Sequence, residues 1–308
     1  MAATGDETLA DEQRRRIQAG VSAIAAGILT IGGGALVAIV YSDRPTVPVL
    51  DALRERLGSG GAEPRLKALQ VQWYGDNAIS LILSALVLAL AAAAMGLTLS
   101  HLYRSTKARR PELPRSVLYA AIAGPVLIAV AGLAQAIGVV VEASSFVNSS
   151  ARSAEAARDI LKTPVVVGTL QLLGVFALGF AFVLLALNAM RVGLLTRFMG
   201  VLGMIVGVLF IIPLGSSLPI VQAFWLCALG ALFLGRWHSG LPPAWVTGVA
   251  QPWPTQQQLR EARVERQADG GDEKRPRRER PEPPETPAPQ MPDSRPHSSS
   301  KKHKRKRR

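Results

Sequence analysis

Six apolar runs, separated by polar segments, set the pattern of this 308-residue chain. The runs exceed the ~12-residue mean of soluble helices and approach or reach the ~20 residues that a helix needs to cross a bilayer. Their Ala, Gly, Leu and Val content favours close helix packing in lipid. The pattern predicts an all-α integral membrane protein, a six-transmembrane-helix bundle with a disordered basic C-terminal tail. The predicted spans cover residues about 21–41, 78–99, 117–141, 164–190, 198–214 and 218–234.

The last two runs belong to one long apolar stretch, residues 188–237, which is interrupted once at residues 213–219. This arrangement predicts a tight helical hairpin in the membrane. Each limb has about 17 residues, the lower end of the length that crosses a bilayer, so a re-entrant pair is the alternative. In the first limb Gly200, Gly203 and Gly207 have the spacing i, i+3 and i+7, which predicts a face for close helix packing.

The N-terminal segment, residues 1–18, is polar and has arginines at positions 14–16. A secretory signal would combine an apolar region of 7–15 residues with a cleavage site of small residues. The run from Val21 to Tyr41 is longer and has no such site at its end. It therefore indicates an uncleaved signal anchor whose N-terminal segment lies in the cytoplasm.

Cations in the connecting segments predict the orientation of the whole bundle. In the six-span arrangement, the side that holds both termini has 11 Lys or Arg residues before the tail. The other side has 8, spread over longer segments with matching acids. The positive-inside rule then places both termini in the cytoplasm of a cell-membrane, multi-pass protein. The strongest single signal follows the second run and consists of Arg104, Lys107, Arg109, Arg110 and Arg115.

The two longer non-cytoplasmic segments contain apolar residues at helical spacing. Two short amphipathic helices are predicted within Ser42–Asn77, around residues 49–57 and 66–73, and a third in the segment SARSAEAARDILK that precedes Thr163. These helices either lie on the membrane surface or pack on the bundle as a small cap.

Residues 238–254 are predicted to be a juxtamembrane segment, and residues 255–308 a disordered tail with 16 Lys or Arg against 9 Asp or Glu. Seven cations at its end predict contact with anionic lipid headgroups or RNA. No aromatic residue interleaves with them, so sequence-specific nucleic-acid binding is not expected. A solvated tail with no partner is the alternative. The seven cations are Lys301, Lys302, Lys304, Arg305, Lys306, Arg307 and Arg308.

Motifs for catalysis, metal binding or a cofactor are absent from the sequence. The only cysteine, Cys227, lies inside the last run, and the four histidines are scattered, so neither a disulfide nor a motif-based metal site is expected. Nucleotide-binding and hydrolase motifs are missing as well. We expect no enzyme activity. Because no run carries a charged residue at mid-depth, a proton- or sodium-driven pump is disfavoured.

Polar side chains recur near the predicted outer ends of the spans. One interpretation is hydrogen bonding between helices. The other is a shallow cavity open to the outside, with apolar walls suited to an amphipathic or lipid-like ligand and with Glu142 as its one charge. The candidate residues of this outer polar cavity are Ser80, Ser84, Gln135, Glu142, Gln171 and Gln222.

The segment RVGLLTRFMGVLGMIVGVLF, with two arginines bracketing a short turn before a glycine-spaced run, resembles uncharacterised bacterial multi-pass membrane families of unknown function. Residues about 188–210 carry the likeness. The resemblance implies a bacterial membrane protein and brings no activity or site with it.

These features favour a non-enzymatic structural or accessory membrane component. Its partners would be the lipid bilayer, an anionic partner of the tail and a further membrane protein. The alternative function is a transporter or channel for a small or amphipathic solute that uses an outward-facing polar pocket. A ribosome-associated insertion factor is a third hypothesis, supported by the charge of the tail alone.

Overall fold

The computed structural model describes residues 5–46, 64–149, 154–212, 219–237 and 240–253, together with positions 258, 260, 261 and 264. Regular structure in these ranges is helical throughout. The helices are α1 (Gly5–Ser42), α2 (Pro64–Asp76), α3 (Ala78–Arg109), α4 (Arg115–Asn148), α5 (Ala154–Ile160), α6 (Val165–Arg191), α7 (Arg197–Ile211), α8 (Ile220–Phe233) and α9 (Pro243–Thr247).

Four helical segments are long and apolar enough to cross a membrane, which indicates a membrane-embedded protein. They are Glu12–Ser42, Ala78–Arg109, Arg115–Asn148 and Ala156–Arg191. The predicted all-α membrane fold is confirmed at this level. The last two predicted spans form α7 and α8, which have only 15 and 14 residues.

The six apolar helices pack as antiparallel neighbours in the order α1, α3, α4, α6, α7 and α8, and α8 packs back onto α1. The bundle therefore has two distinct ends. We call the end with Ser42, Ala78 and Val165 the cap end. The end with Glu12, Arg109 and Arg191 is the arginine end.

Glycines set the closest approaches between the helices. At the contact of α6 with α7, an added Cβ on Gly207 would lie 2.7 Å from the carbonyl oxygen of Gly179. At Gly203 it would lie 2.8 Å from the Ala186 Cβ and 2.9 Å from the Trp225 ring. The prediction that Gly200, Gly203 and Gly207 form a close-packing face is therefore confirmed.

The two short helices α2 and α5 form a cap on α4 at the cap end. Val71 of α2 and Ala157 of α5 are fully buried and belong to one cluster with Ala143 and Phe146 of α4. The second and third predicted short helices thus exist, and they pack on the bundle. The first, around residues 49–57, lies outside the described residues.

The segment after α8 crosses the arginine end and is fixed to the α6–α7 turn. Trp245 donates from Nε1 to the carbonyl of Leu194 at 2.8 Å, and Trp253 donates to that of Leu195 at 2.8 Å. The backbone N–H of Gln251 donates to the carbonyl of Val192 at 3.0 Å. The described part of the predicted juxtamembrane segment, residues 240–253, is therefore packed onto the bundle.

The chain divides into two units, Met1–Trp253 and Pro254–Arg308. The predicted tail is the second unit, and only four of its positions are among the described residues. The predicted disorder and the anion-contacting residues Lys301, Lys302, Lys304, Arg305, Lys306, Arg307 and Arg308 lie outside them.

Candidate ligand cavity

A cavity of about 660 Å³ opens between α1, α3, α4 and α6 in the cap-end half of the bundle. This volume falls within the range of small-molecule sites, about 300–1,000 Å³. Five residues of α3, spaced as one helical face, form part of its back wall, and α4 forms the adjoining part. The α3 residues are Leu81, Ser84, Ala85, Leu88 and Ala89.

Among the described residues, the short helix α8 covers only part of α1. Against α1, Gly27 lies beside Ala223, and Gly20 lies beside Gly230. Continuing this register places Ile220, the first residue of α8, near the level of Thr30. The last part of α1, about 18 Å at 1.5 Å per residue, therefore extends beyond α8 toward the cap end.

The short helix α7 likewise covers only part of α6. Gly179 of α6 lies against Ile211 at the end of α7. The preceding part of α6, about 20 Å long, therefore extends beyond α7. The cavity lies between these extensions, with Val37 and Tyr41 of α1 on one side and Gln171 of α6 on the other.

Three of the six predicted cavity residues line this space: Ser84, Gln135 and Gln171. The Ser84 hydroxyl donates to the carbonyl of Leu81 in its own helix at 2.8 Å. Gln135 Oε1 is buried and accepts no hydrogen bond from a described residue. Gln171 is exposed at the open side. None of these contacts joins one helix to another, so the observed geometry gives no support to the hydrogen-bonding interpretation at these positions.

The other three predicted residues are not among those that line the cavity. Ser80 lies at the edge of the lining face of α3, about 40° of helix rotation from Ser84. Glu142 is exposed on α4. By the register of α8 against α1, Gln222 lies near the level of Ile28, well below the cavity.

The sequence pattern did not identify Arg44, the charged residue that does line the cavity. Arg44 lines the cavity mouth, and its guanidinium carbon lies 5.9 Å from the Tyr41 ring centroid and 5.3 Å from that of Tyr74. Trp73 packs against both tyrosines, at 5.5 and 5.2 Å between ring centroids. The sequence signal for this cluster was the aromatic pair at positions 73 and 74.

The arginine end is closed by buried polar contacts. The Arg109 side chain is fully buried and forms a bidentate ion pair with Glu12 at 2.5 and 3.0 Å. It also donates to the carbonyls of Ser105 and Ala244, and its guanidinium lies 5.5 Å from the Trp245 ring. None of the described lining residues lies at this end, so the cavity belongs to the cap-end half of the bundle.

Between the cavity and the arginine end, the bundle interior is filled by large apolar side chains. Phe182, Leu185 and Trp225 are fully buried, and Trp225 donates from Nε1 to the carbonyl of Met199 at 2.9 Å. Phe182 stacks obliquely on Trp225 at 5.2 Å between ring centroids. This packing separates the two ends and favours a binding cavity over a continuous pore.

A metal centre finds no support in the described ranges, where no group of three or more His, Cys, Asp or Glu side chains converges. No protein-family model, curated protein or solved structure matches the chain. The resemblance of residues about 188–210 to bacterial membrane families therefore stays a prediction. Function has to be inferred from the cavity and its surrounding charges.

Proposed function

We propose that the protein is a non-enzymatic, multi-pass component of the cell membrane that binds an amphipathic small molecule in its cap-end cavity. The observation that carries the proposal is the one-sided cavity of about 660 Å³. Its deeper walls are apolar, for example Leu88 and Ile128, while polar groups stand nearer the mouth. Such a gradient suits a molecule with one apolar and one polar part.

The proposed topology has six crossings with both termini in the cytoplasm. Support comes from the arrangement of α7 and α8 as adjacent members of the ring of helices and from the cations gathered at the arginine end. A helix of 14 or 15 residues is about 22 Å long, so local thinning of the bilayer would accompany these two crossings. In this orientation the cavity opens toward the outside.

Because the arginine end is closed, we propose a binding pocket and not an open channel. An open channel needs a continuous path, whereas buried Leu185, Phe182 and Trp225 fill the interior. The protein would therefore either hold its ligand at the outer face or release it inward only after a rearrangement. The accessory role of the basic tail is a separate part of the proposal, for which the charge of residues 255–308 is the support.

The variant Gly132→Phe tests the cavity directly. Gly132 lines the cavity, and an added Cβ there would meet no atom within 4 Å, so a phenyl ring can fill the space without a clash. We expect native mass spectrometry of the purified full chain to show a retained amphipathic molecule in the wild type. Its occupancy should fall about tenfold or more in the variant, since tenfold corresponds to only ~1.4 kcal/mol.

Gly138→Phe is the matched control for this measurement. Gly138 lies in the same helix and also has no atom within 4 Å of an added Cβ, but it does not line the cavity. The control should retain the molecule. Equal occupancy in Gly132→Phe and Gly138→Phe, or no retained molecule in the wild type, would contradict ligand binding in this cavity.

A further inference from the structure

Arg44 is the only charged side chain among the described residues that line the cavity. It lies two residues after the end of α1 and stands at the mouth, with the aromatic cluster of Tyr41, Trp73 and Tyr74 beside it. The remaining lining residues supply apolar surface, hydroxyls and amides. A ligand that fills the cavity therefore meets a single fixed positive charge at its entrance.

The local structure holds this arginine in place. The backbone N–H of Arg44 donates to the carbonyl of Tyr41 at 3.3 Å, which continues the turn at the end of α1. The next residue, Pro45, accepts a hydrogen bond of 2.7 Å from Nε2 of Gln70 in α2. With its guanidinium near two tyrosine rings, the side chain is positioned by cation–π contacts and loses little further freedom when it binds a ligand.

The described residues do not use the full hydrogen-bonding capacity of Arg44. Its Nε is buried and has no hydrogen-bond partner among them, and none of them forms an ion pair with Arg44. A guanidinium has five N–H donors in a planar fork that matches a carboxylate or phosphate. Because a buried donor without an acceptor is costly, an anion at this point would satisfy a group that the described residues leave unsatisfied.

The apolar part of the cavity leads away from this charge. The lining residues of α4 run from Val139 to Ile128, about 16 Å along the helix axis. Along this path the walls are mainly Ala, Leu, Ile and Val side chains. The path is long enough and apolar enough to hold a hydrocarbon chain whose polar end stays near Arg44.

We propose that the cavity binds an anionic amphiphile whose phosphate or carboxylate head is held by Arg44 between Tyr41 and Tyr74. The hydrocarbon chain of this ligand lies along α4 toward Ile128. This inference rests on the proposed ligand-binding function and adds the chemical class of the ligand. A membrane lipid and a water-soluble phosphate compound share the head chemistry, and only the lipid uses the apolar path.

The test measures the head preference of the full chain by native mass spectrometry. Dodecyl phosphate, tridecanoate and dodecanol have the same twelve-carbon alkyl chain and differ in the head alone. We expect the two anions to bind the wild type about tenfold or more tightly than the alcohol, because charge-assisted hydrogen bonds are stronger than neutral ones. Arg44→Gln should abolish this preference and leave dodecanol binding within about twofold of the wild type.

Arg115→Gln removes the same charge from an exposed position at the arginine end and should keep the preference. An excess of inorganic phosphate should not displace dodecyl phosphate if the chain contributes to binding. An unchanged anion preference in Arg44→Gln would overturn the assignment of the head site. Displacement of dodecyl phosphate by inorganic phosphate alone would overturn the assignment of an amphiphile.

Failure of this inference can be told apart from failure of the proposed function. If Gly132→Phe abolishes binding of all three probes while Arg44→Gln changes none of them, the cavity binds ligands and the head assignment is wrong. If Gly132→Phe leaves all three affinities unchanged, the cavity is not the binding site and both proposals fail.

Discussion

Glu12→Ala is expected to lower the free energy of unfolding by about 3–5 kcal/mol, because it leaves the charge of Arg109 buried without its counterion. The Arg109 side chain has no exposed surface, and the Glu12 side chain is only 11% exposed. The two remaining acceptors, the carbonyls of Ser105 and Ala244, are neutral and cannot replace the carboxylate. Titration with SDS in mixed micelles would measure the loss.

Asp159→Ala is the matched control for the Glu12 variant. Asp159 pairs with Lys162 at 2.6 Å, but the two side chains are 63% and 73% exposed. Solvent screens such a pair, so the change should stay within about 1 kcal/mol. A Glu12→Ala variant no less stable than Asp159→Ala would show that the buried pair does not hold the arginine end together.

Gly124→Val is expected to destabilise the bundle by about 3 kcal/mol, the upper part of the usual range for overpacking. A Cβ at Gly124 would lie 2.7 Å from the backbone nitrogen of Leu178 and 2.9 Å from its Cα. Backbone atoms cannot rotate out of the way, so α4 and α6 must move apart. The same SDS titration would detect the change as a lower midpoint.

Gly138→Val serves as the control on the same helix, because no atom lies within 4 Å of a Cβ at that position. It should unfold within about 0.5 kcal/mol of the wild type. Since α4 and α6 also form two walls of the cavity, Gly124→Val should weaken ligand retention as well. Equal stability of the two variants would mean that α4 and α6 do not approach as closely as described.

The helices were predictable because each depends on a local pattern. Length and hydropathy identified all six apolar runs, and the glycine spacing in α7 identified its packing face. Helical spacing of apolar residues likewise located α2 and α5 at the cap end. These features need no knowledge of which helices are neighbours.

Contacts between distant segments could not be predicted in the same way. Arg109 is one of five cations in a single segment, and nothing in the sequence pattern distinguishes it from the other four. Only the packed structure distinguishes it, since its partner Glu12 is 97 residues away. Arg44 and Tyr74 are likewise 30 positions apart and meet only when α2 folds back onto the end of α1.

Helix register explains why Gln222 is not among the residues that line the cavity. We assumed that every span reaches the outer boundary, which places Gln222 level with Ser84. Because α8 begins near the level of Thr30, Gln222 lies roughly 13 Å deeper in the bundle than Ser84. The shortness of α8 that places Gln222 away from the cavity also leaves the cap-end part of α1 beyond α8, where the cavity lies.

Thiol labelling at Gln135 in intact cells tests the outward-open cavity most directly. In a Cys227→Ala background, Gln135→Cys should react with a small membrane-impermeant thiol reagent added from outside. Ile137→Cys should not react, because this exposed apolar position of α4 does not line the cavity and would face lipid. Glu112→Cys, on the exposed turn at the arginine end, should react only after the cells are opened. Protection of Gln135→Cys together with labelling of Glu112→Cys in intact cells would contradict both the outward-open cavity and its orientation.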